Sequence, residues 1–168
     1  MSKPVNAKQI AQLLDEYSGS LALYASQWAK SPDDCVQEAF VELAGQKISP
    51  ENPTAWLFKV VRNRAINELR SRQRRDRREQ TVARPDMQDD DPSSRMLIQD
   101  EQKKMMGILK GLPDEERELI VLRIWSGLTW GEIAELTVSS SSSAQRRYVA
   151  ALEKMKIRLE SQCLTKPK

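Results

Sequence analysis

Residues 111–159 decide the fold, and they read GLPDEERELIVLRIWSGLTWGEIAELTVSSSSSAQRRYVAALEKMKIRL. The pair Leu112-Pro113, followed by three acidic residues, is typical of a helix start, because proline suits the first helical position and acids favour the positive end of the helix dipole. Thr129 and Glu132 have the spacing of a capping box, which begins a second, short helix. A third helix is predicted from about Ser140. Three consecutive helices are therefore expected here.

The third helix has one apolar and one polar face. Its apolar residues recur at intervals of three and four, and they are Ala144, Tyr148, Ala151, Leu152, Met155 and Leu159. The polar residues near its N-terminal end are Ser140, Ser141, Ser142, Ser143, Gln145, Arg146 and Arg147. Two tightly joined helices with polar side chains on the first turns of the second predict a helix-turn-helix. A helical hairpin with a serine-rich corner is the alternative.

Composition and charge predict an all-α protein with two small helical domains. Helix formers dominate and no run of alternating β-branched residues occurs. Residues 1–78 carry 13 basic and 9 acidic side chains, residues 79–101 carry 2 and 7, and residues 102–168 carry 12 and 8. The segment TVARPDMQDDDPSS, from Thr81 to Ser94, is typical of a flexible linker. We predict a first domain at 1–78, an acidic linker at 79–95 and a second domain at 96–168.

The chain lacks the residues of several common sites. It contains no histidine, so Ser-His and Cys-His nucleophile pairs and the usual zinc ligand sets are excluded. Cys35 and Cys163 are single and far apart, which predicts two reduced thiols without a special role. We expect no metal and no cofactor. No segment has the apolar length of a membrane span, and the N-terminus lacks a signal-peptide pattern, which predicts a cytoplasmic protein without membrane insertion.

Two helices are predicted before the basic part of the first half. In the helix that begins near Ile10, the stretch Ser18-Gly19-Ser20 predicts a kink or a break. Ser31-Pro32-Asp33-Asp34 then predicts the start of the next helix, with a cap, a proline and two acids in order. Its outer face is acidic and polar. Such a face is ordinarily solvated surface.

A long basic helix follows, from Thr54 or Ala55 to Arg75. Between Lys59 and Arg78 there are nine basic residues and only two acidic ones. That density on a helix is typical of a phosphate-binding surface. A solvated face, an RNA-binding face and a surface for an acidic protein remain open from charge alone.

The second half of the chain resembles region 4 of bacterial sigma factors. The resemblance rests on Leu112-Pro113, Arg117, Leu122-Arg123, Gly127-Leu128-Thr129, Glu132-Ile133-Ala134-Glu135 and Ala150 to Leu159. Two residues depart from the pattern: Val138 stands where the family usually has a turn glycine, and Ser139 where it often has an aliphatic residue. Because a β-branched residue resists a positive φ, a reshaped turn is expected.

The first half resembles region 2 of the same family. The matching residues are Asp33-Asp34, Val36-Gln37-Glu38-Ala39-Phe40, Trp56-Leu57, Val60-Val61-Arg62-Asn63, Ala65-Ile66-Asn67 and Leu69-Arg70. Asn67 stands where aspartate is common. Since the two segments leave no room for region 3, the chain is identified as a member of the extracytoplasmic-function (ECF) class. The class implies two partners, core RNA polymerase and promoter DNA, and leads us to expect an anti-sigma factor as a third.

The resemblance also implies three sites. Core polymerase would be bound by Asp34, Gln37, Glu38 and Phe40. The minus-10 element would be bound by the loop at Pro50 to Thr54 and the long helix, through Asn52, Trp56, Lys59, Arg62, Asn63, Asn67 and Arg70. The minus-35 element would be bound by Ser140, Ser141, Ser142, Ser143, Gln145, Arg146 and Arg147. Arginines of the long helix can neutralise phosphates, and asparagines can bind base edges. Gln145 can pair with adenine, and Arg146 or Arg147 with guanine or a backbone phosphate. Trp56 suits either a stacked base or the core.

Two other classes of protein compete with this interpretation. A stand-alone helix-turn-helix regulator explains the second half, but it leaves the basic helix and the acidic face without a role. A metal-dependent nuclease would have to use Asp33, Asp34 and Glu38, which lie on one helix start without a second acidic cluster. We therefore expect a protein that is not an enzyme.

Overall fold

The computed structural model describes residues 3–80 and 97–164, and every regular element within those ranges is a helix. Its elements are α1 (Ala7–Ala25), α2 (Pro32–Ala44), α3 (Pro53–Glu79), α4 (Asp100–Leu109), α5 (Asp114–Trp125), α6 (Trp130–Leu136) and α7 (Ser141–Leu164). The prediction of an all-α fold is confirmed. The chain divides into two compact units, which we call unit 1 (residues 1–99) and unit 2 (residues 100–168).

The predicted linker at 79–95 falls largely on residues 81–96, which lie outside the described part of the chain. Its first two residues are described, and they form the end of α3 and its cap. Glu79 is the last residue of α3, and Gln80 caps it with an N–H that donates to the carbonyl of Asp76 at 2.8 Å.

Unit 1 is formed by α1, α2 and α3, each of which packs against the other two. The predicted break at Ser18-Gly19-Ser20 is absent, since α1 runs unbroken through it. Every residue from Ser20 to Ala25 is buried. This packing outweighs the cost of glycine in a helix, which is about 1 kcal/mol.

Aromatic rings fill the centre of unit 1. The Tyr24 ring lies 5.2 Å from that of Trp28 and 5.5 Å from that of Phe58, measured between centroids. Edge-on and tilted pairs of this kind each contribute about 0.5–1.5 kcal/mol beyond the area they bury. The fully buried residues of α3 end at Ala65. Its basic end, from Arg70 onward, is exposed apart from a half-buried Arg72.

Unit 2 contains α4 to α7, of which α4 was not predicted. Helix α7 packs on α5 and α6. The corner between α5 and α6 is closed by the buried Ser126, whose hydroxyl donates to the carbonyl of Leu122 at 2.5 Å and accepts the Leu128 N–H at 3.1 Å. Gly127 has a φ of +68° there, which glycine adopts without steric cost. This corner ends α5 and positions the start of α6.

Candidate nucleic-acid interface

The predicted capping box at the start of α6 is present. The Thr129 hydroxyl accepts the N–H of Glu132 at 3.3 Å, and the Glu132 carboxylate accepts the N–H of Thr129 at 2.8 Å. Two otherwise unpaired amides are thereby satisfied at once, which stabilises a helix of only seven residues. Ile133 and Ala134 bury its inner side.

The turn between α6 and α7 has a left-handed residue, Val138, with a φ of +52°. The N–H of Ser139 donates to the carbonyl of Ala134 at 2.9 Å, and that of Val138 donates to Glu135 at 3.4 Å. This pair of bonds is a Schellman motif, in which glycine usually takes the position of Val138. The turn is therefore not reshaped, contrary to the expectation. A non-glycine residue is held in it at a cost of about 1–2 kcal/mol.

The four serines at 140–143 differ in their surroundings. The Ser140 hydroxyl accepts the N–H of Ser143 at 3.2 Å, so Ser140 caps α7. Ser142 is exposed, whereas Ser141 and Ser143 are half-buried. Of the four serines predicted to contact phosphate, Ser142 is thus the one that lies fully on the surface without capping the helix.

On α7 the two predicted arginines have different surroundings. Arg146 and Gln145 are exposed. Arg147 is also exposed, but its Nη1 lies 3.1 Å from Oε2 of Glu115 at the start of α5. Two turns further along, Lys154 Nζ lies 2.5 Å from Oε1 of Glu116. These two ion pairs join α7 to the acidic first turn of α5.

An aromatic contact sets the position of α6 against α7. The Trp130 ring lies 5.3 Å from that of Tyr148, and the Arg123 guanidinium lies 4.7 Å from the Trp130 centroid. Arg123 also donates to the carbonyl of Leu128 at 3.4 Å. One side chain from each of α5, α6 and α7 therefore takes part in holding the first turn of α6 in place.

In unit 1, one side of α3 presents polar residues from Lys59 to Arg70. We call Lys59, Asn63, Asn67 and Arg70 the outer stripe of α3. They are exposed, and they recur at intervals of three and four, which places them on one face. Four of the seven residues predicted to bind the minus-10 element are thus together.

The other three have different surroundings. The Arg62 guanidinium lies 5.8 Å from the centroid of the buried Trp28 ring. Asn52 caps α3, since its side-chain oxygen accepts the N–H of Ala55 at 3.1 Å. Trp56 is half-buried and stays outside the core, and at 100° per residue it points to the side of Lys59.

The outward side of α2 carries Asp34, Gln37 and Glu38, all exposed. Phe40, which the sequence placed with them, is only 6% exposed and belongs to the core of unit 1. Its position, two residues after Glu38, turns it about 200° away from that residue around the helix. We therefore remove Phe40 from the predicted polymerase-binding surface. Val41 lies there instead, 73% exposed.

Sequence reasoning missed Arg64, which joins α3 to this surface. Its Nη1 lies 2.6 Å from Oε2 of Glu38, and its Nη2 lies 2.7 Å from Oε2 of Glu42. Hydrogen bonding by Glu42 and the charges of both carboxylates raise the pKa of the Arg64 guanidinium, against the opposing effect of burial. Two glutamates four residues apart share one helix face, and this spacing was the signal that a cation would lie between them.

The cysteine of unit 1 lies in surroundings that disfavour its thiolate. Cys35 is buried, and its thiol points at the Glu68 carboxylate with an Sγ to Oε2 distance of 3.8 Å. Burial, followed by the negative charge of Glu68, raises the pKa of the thiol to about 12. Among the described residues no group of histidine, cysteine or acidic side chains could hold a metal ion. Nor does any described helix have the length and apolarity needed to cross a membrane.

Family models match both units. The model described as Sigma-70 region 2 matches residues 13–75, and that described as Sigma-70, region 4 matches residues 102–155. The first match contains the outer stripe of α3 and the outward side of α2, and the second contains the helix-turn-helix. The matches lie in the order in which regions 2 and 4 are numbered.

Proteins of the ECF class are similar to this chain in sequence. The ECF RNA polymerase sigma factor SigK of Mycobacterium ulcerans (strain Agy99) is 26% identical over 126 residues, which are 71% of this chain and 67% of that protein. SigK of Mycolicibacterium vanbaalenii is 27% identical over 121 residues, or 68% and 62% of the two chains. The chain thus spans about two thirds of the length of these curated relatives.

Solved structures share the fold. The sigma factor RpoE of Bartonella quintana, solved in complex with the anti-sigma factor NepR, aligns with a TM-score of 0.68 at 21% identity, over 92% of this chain and 98% of that one. CnrH, solved in complex with the cytosolic domain of CnrY, aligns with a TM-score of 0.62 at 23% identity, over 93% and 90%. With the two family segments and the helix-turn-helix in place, this chain belongs to the sigma-70 family, in its ECF class.

Proposed function

We propose that this protein binds core RNA polymerase and directs it to promoters, with unit 1 contacting the minus-10 element and unit 2 contacting the minus-35 element. The observation that carries the proposal is that each matched family segment holds its own exposed polar stripe on a helix. The outer stripe of α3 lies in the region 2 segment, and Gln145 with Arg146 lies in the region 4 segment.

The chemistry of the outer stripe of α3 supports the minus-10 assignment. Lys59 and Arg70 can neutralise phosphates, which gives affinity but no sequence choice. Asn63 and Asn67 carry both a donor and an acceptor, so they can read the edges of unpaired bases. The partly exposed ring of Trp56, on the same side of the helix, can stack on a base. A DNA strand separated from its complement exposes both phosphates and unpaired bases to these side chains.

The outward side of α2 supports a polymerase-docking role. Asp34, Gln37 and Glu38 are exposed around Val41, a large aliphatic side chain that is 73% exposed. An acidic and polar rim around an apolar centre fits a basic helical partner. Arg64 neutralises part of the acidic charge and holds Glu38 in one position.

Reconstitution with purified bacterial core polymerase tests the proposal. We expect the protein to co-elute with core and to produce new transcription start sites on a genomic fragment library. Binding of a duplex operator without polymerase, together with no co-elution, would instead establish a stand-alone regulator. Cleavage of DNA that required a divalent metal and no polymerase would instead indicate a nuclease.

Two matched pairs of variants separate the surfaces. Asp34→Asn with Gln37→Ala should weaken co-elution, whereas Asp15→Asn, at an exposed acid on α1, should not. Arg146→Ala should reduce transcription from promoters that need their upstream element, whereas Lys156→Ala, further along α7, should leave it unchanged. Normal holoenzyme assembly by the α2 variant would count against the docking surface.

We also include an anti-sigma partner and a cytoplasmic site of action in the proposal. The fold of this chain is that of a sigma factor solved with its anti-sigma factor, which makes the same type of control a specific hypothesis. Co-purification of the tagged protein from its host in the uninduced state tests it. A preparation that contained polymerase alone would argue against such a partner.

A further inference from the structure

Helix α7 has an exposed aliphatic residue in the middle of its polar face. Val149 is 64% exposed. Ala144 and Ala151 have no exposed surface, and they fix the direction in which the helix faces its own unit. Measured from those two at 100° per residue, Val149 lies on the opposite side. Its side chain therefore points out of unit 2.

Three of the seven predicted minus-35 contacts are neighbours of Val149 on that side. Arg146 precedes it by three residues, Gln145 by four and Ser142 by seven, so all three lie on the same face or beside it. From Ser142 to Val149 the helix rises about 10 Å, which corresponds to roughly three base pairs of B-DNA. This stretch is long enough to face a short promoter element.

The next residue along this face limits the DNA-facing part of α7. Glu153 is exposed, and it lies one turn beyond Val149. A carboxylate is repelled by phosphates, so the contact surface ends before it. Ile157, one further turn along, is also exposed at 56% but lies beyond that acidic limit. Val149 and Ile157 thus have similar exposure and chemistry on opposite sides of the limit.

An aliphatic side chain facing the major groove has one specific partner among the bases. Hydrogen-bonding edges of guanine, adenine and cytosine gain nothing from a valine, whereas the C5-methyl group of thymine packs against apolar side chains. We infer that Val149 contacts the methyl group of a thymine in the upstream promoter element and makes thymine the preferred base at that position. The inference rests on the proposed function, because it requires α7 to enter the groove.

Removal of single methyl groups from DNA tests the inference directly. A promoter is first selected from a library randomised in the upstream element, with holoenzyme reconstituted from core polymerase and the full chain. Each thymine of the selected element is then replaced singly by deoxyuridine, which differs by the methyl group alone. Competition binding of the holoenzyme measures the change.

We expect one position at which deoxyuridine weakens wild-type binding about three- to tenfold, the range for loss of one or two buried methyl-sized contacts. The Val149→Ala holoenzyme should bind the thymine promoter at that weakened level and should not respond to deoxyuridine. The Ile157→Ala holoenzyme should behave as the wild type does. Since both side chains are exposed, neither change should disturb folding.

Three results would overturn the inference. They are a wild-type holoenzyme insensitive to every deoxyuridine, a selected element without thymine, and a Val149→Ala holoenzyme that keeps the wild-type response. In each of these, continued dependence on the upstream element would leave the proposed function intact. Binding that ignored the upstream element altogether would remove the minus-35 role of α7, and the inference with it.

Discussion

Arg147 of α7, the second helix of the helix-turn-helix, forms an ion pair with Glu115 at the start of α5, with 3.1 Å between Nη1 and Oε2. The pair is exposed on both sides, with 53% and 77% of the two side chains accessible. Exposed pairs of this type contribute at most about 1 kcal/mol. A DNA phosphate can therefore compete with Glu115 for Arg147 without a large loss of stability.

We predict that Glu115→Gln strengthens binding to promoters that depend on the upstream element. The change removes a negative charge near the phosphates and releases Arg147 to bind one of them. The slope of log affinity against log salt should become steeper by about one, the contribution of one further phosphate contact. Holoenzyme binding measured over a salt series gives this slope. Glu160→Gln, which makes the same change of charge at the far end of α7, should leave the slope as it is.

The turn residue Val138 leads to a prediction about stability. Its φ of +52° costs a β-branched residue about 1–2 kcal/mol, whereas glycine loses about 0.5–1 kcal/mol of chain entropy on folding. The side chain is 90% exposed, so removing it sacrifices little packing. Val138→Gly should therefore stabilise unit 2 by up to about 1 kcal/mol.

Urea unfolding of the full chain, followed by the fluorescence of Trp125 and Trp130 in a variant whose unit 1 tryptophans are replaced by phenylalanine, measures this change. Val138→Ala is the control, because it retains the Cβ that makes a positive φ costly, and it should give a smaller gain. A loss of stability in Val138→Gly would mean that the exposed side chain has a stabilising contact.

The helix-turn-helix could be predicted because its signals are local. The Thr129 capping box and the apolar stripe of α7 depend on residues three or four positions apart, which one sequence displays directly. The left-handed conformation of Val138 could not be predicted from its own propensity. There the hydrogen bonds of the Schellman motif and the packing of α6 and α7 outweigh a residue preference of about 1–2 kcal/mol.

The contacts of the candidate sites were harder to predict, because several of them join residues that are distant in sequence. The ion pairs of Arg64 with Glu38 and of Arg147 with Glu115 span 26 and 32 positions. Phe40 illustrates the converse problem. It lies in a segment that resembles a family docking site, yet its side chain faces inward, and the local period of the helix, which places it about 200° from Glu38, already indicates that direction.

Arg64 provides a test of how unit 1 is held together. Its guanidinium bonds two carboxylates of α2 at 2.6 and 2.7 Å from its own position on α3. We predict that Arg64→Ala lowers the free energy of unfolding of unit 1 by about 1 kcal/mol, since the carboxylates are partly screened by solvent. Arg64→Lys should recover less than half, because a lysine cannot present two parallel donors. Lys59→Ala, at an exposed residue of the same helix, is the control for urea unfolding. If Arg64→Lys were as stable as the wild type, the simultaneous bonds of Arg64 to Glu38 and Glu42 would not be what stabilises unit 1.

Cys35 should be protected from alkylation until unit 1 unfolds. Burial raises the pKa of its thiol from about 9 to about 12, and the reactive species is the thiolate. In a Cys163→Ser variant, native labelling by iodoacetamide at pH 8 should therefore be about a hundred- to a thousandfold slower than labelling in urea. Rapid native labelling would show that the thiol is accessible and its surroundings mobile.

The same shift predicts a loss of stability at alkaline pH. A thiol whose pKa is higher in the folded state keeps its proton there after the unfolded chain has lost its own, so each step in pH above about 9 favours unfolding. The stabilisation is fully present below pH 9 and declines as pH rises from about 9 toward 12. Because lysines and tyrosines titrate in the same range, the comparison must be with Cys35→Ala. That variant should show a shallower fall in unfolding free energy between pH 9 and 10.5, and an equal slope in the two proteins would mean that Cys35 does not control this response.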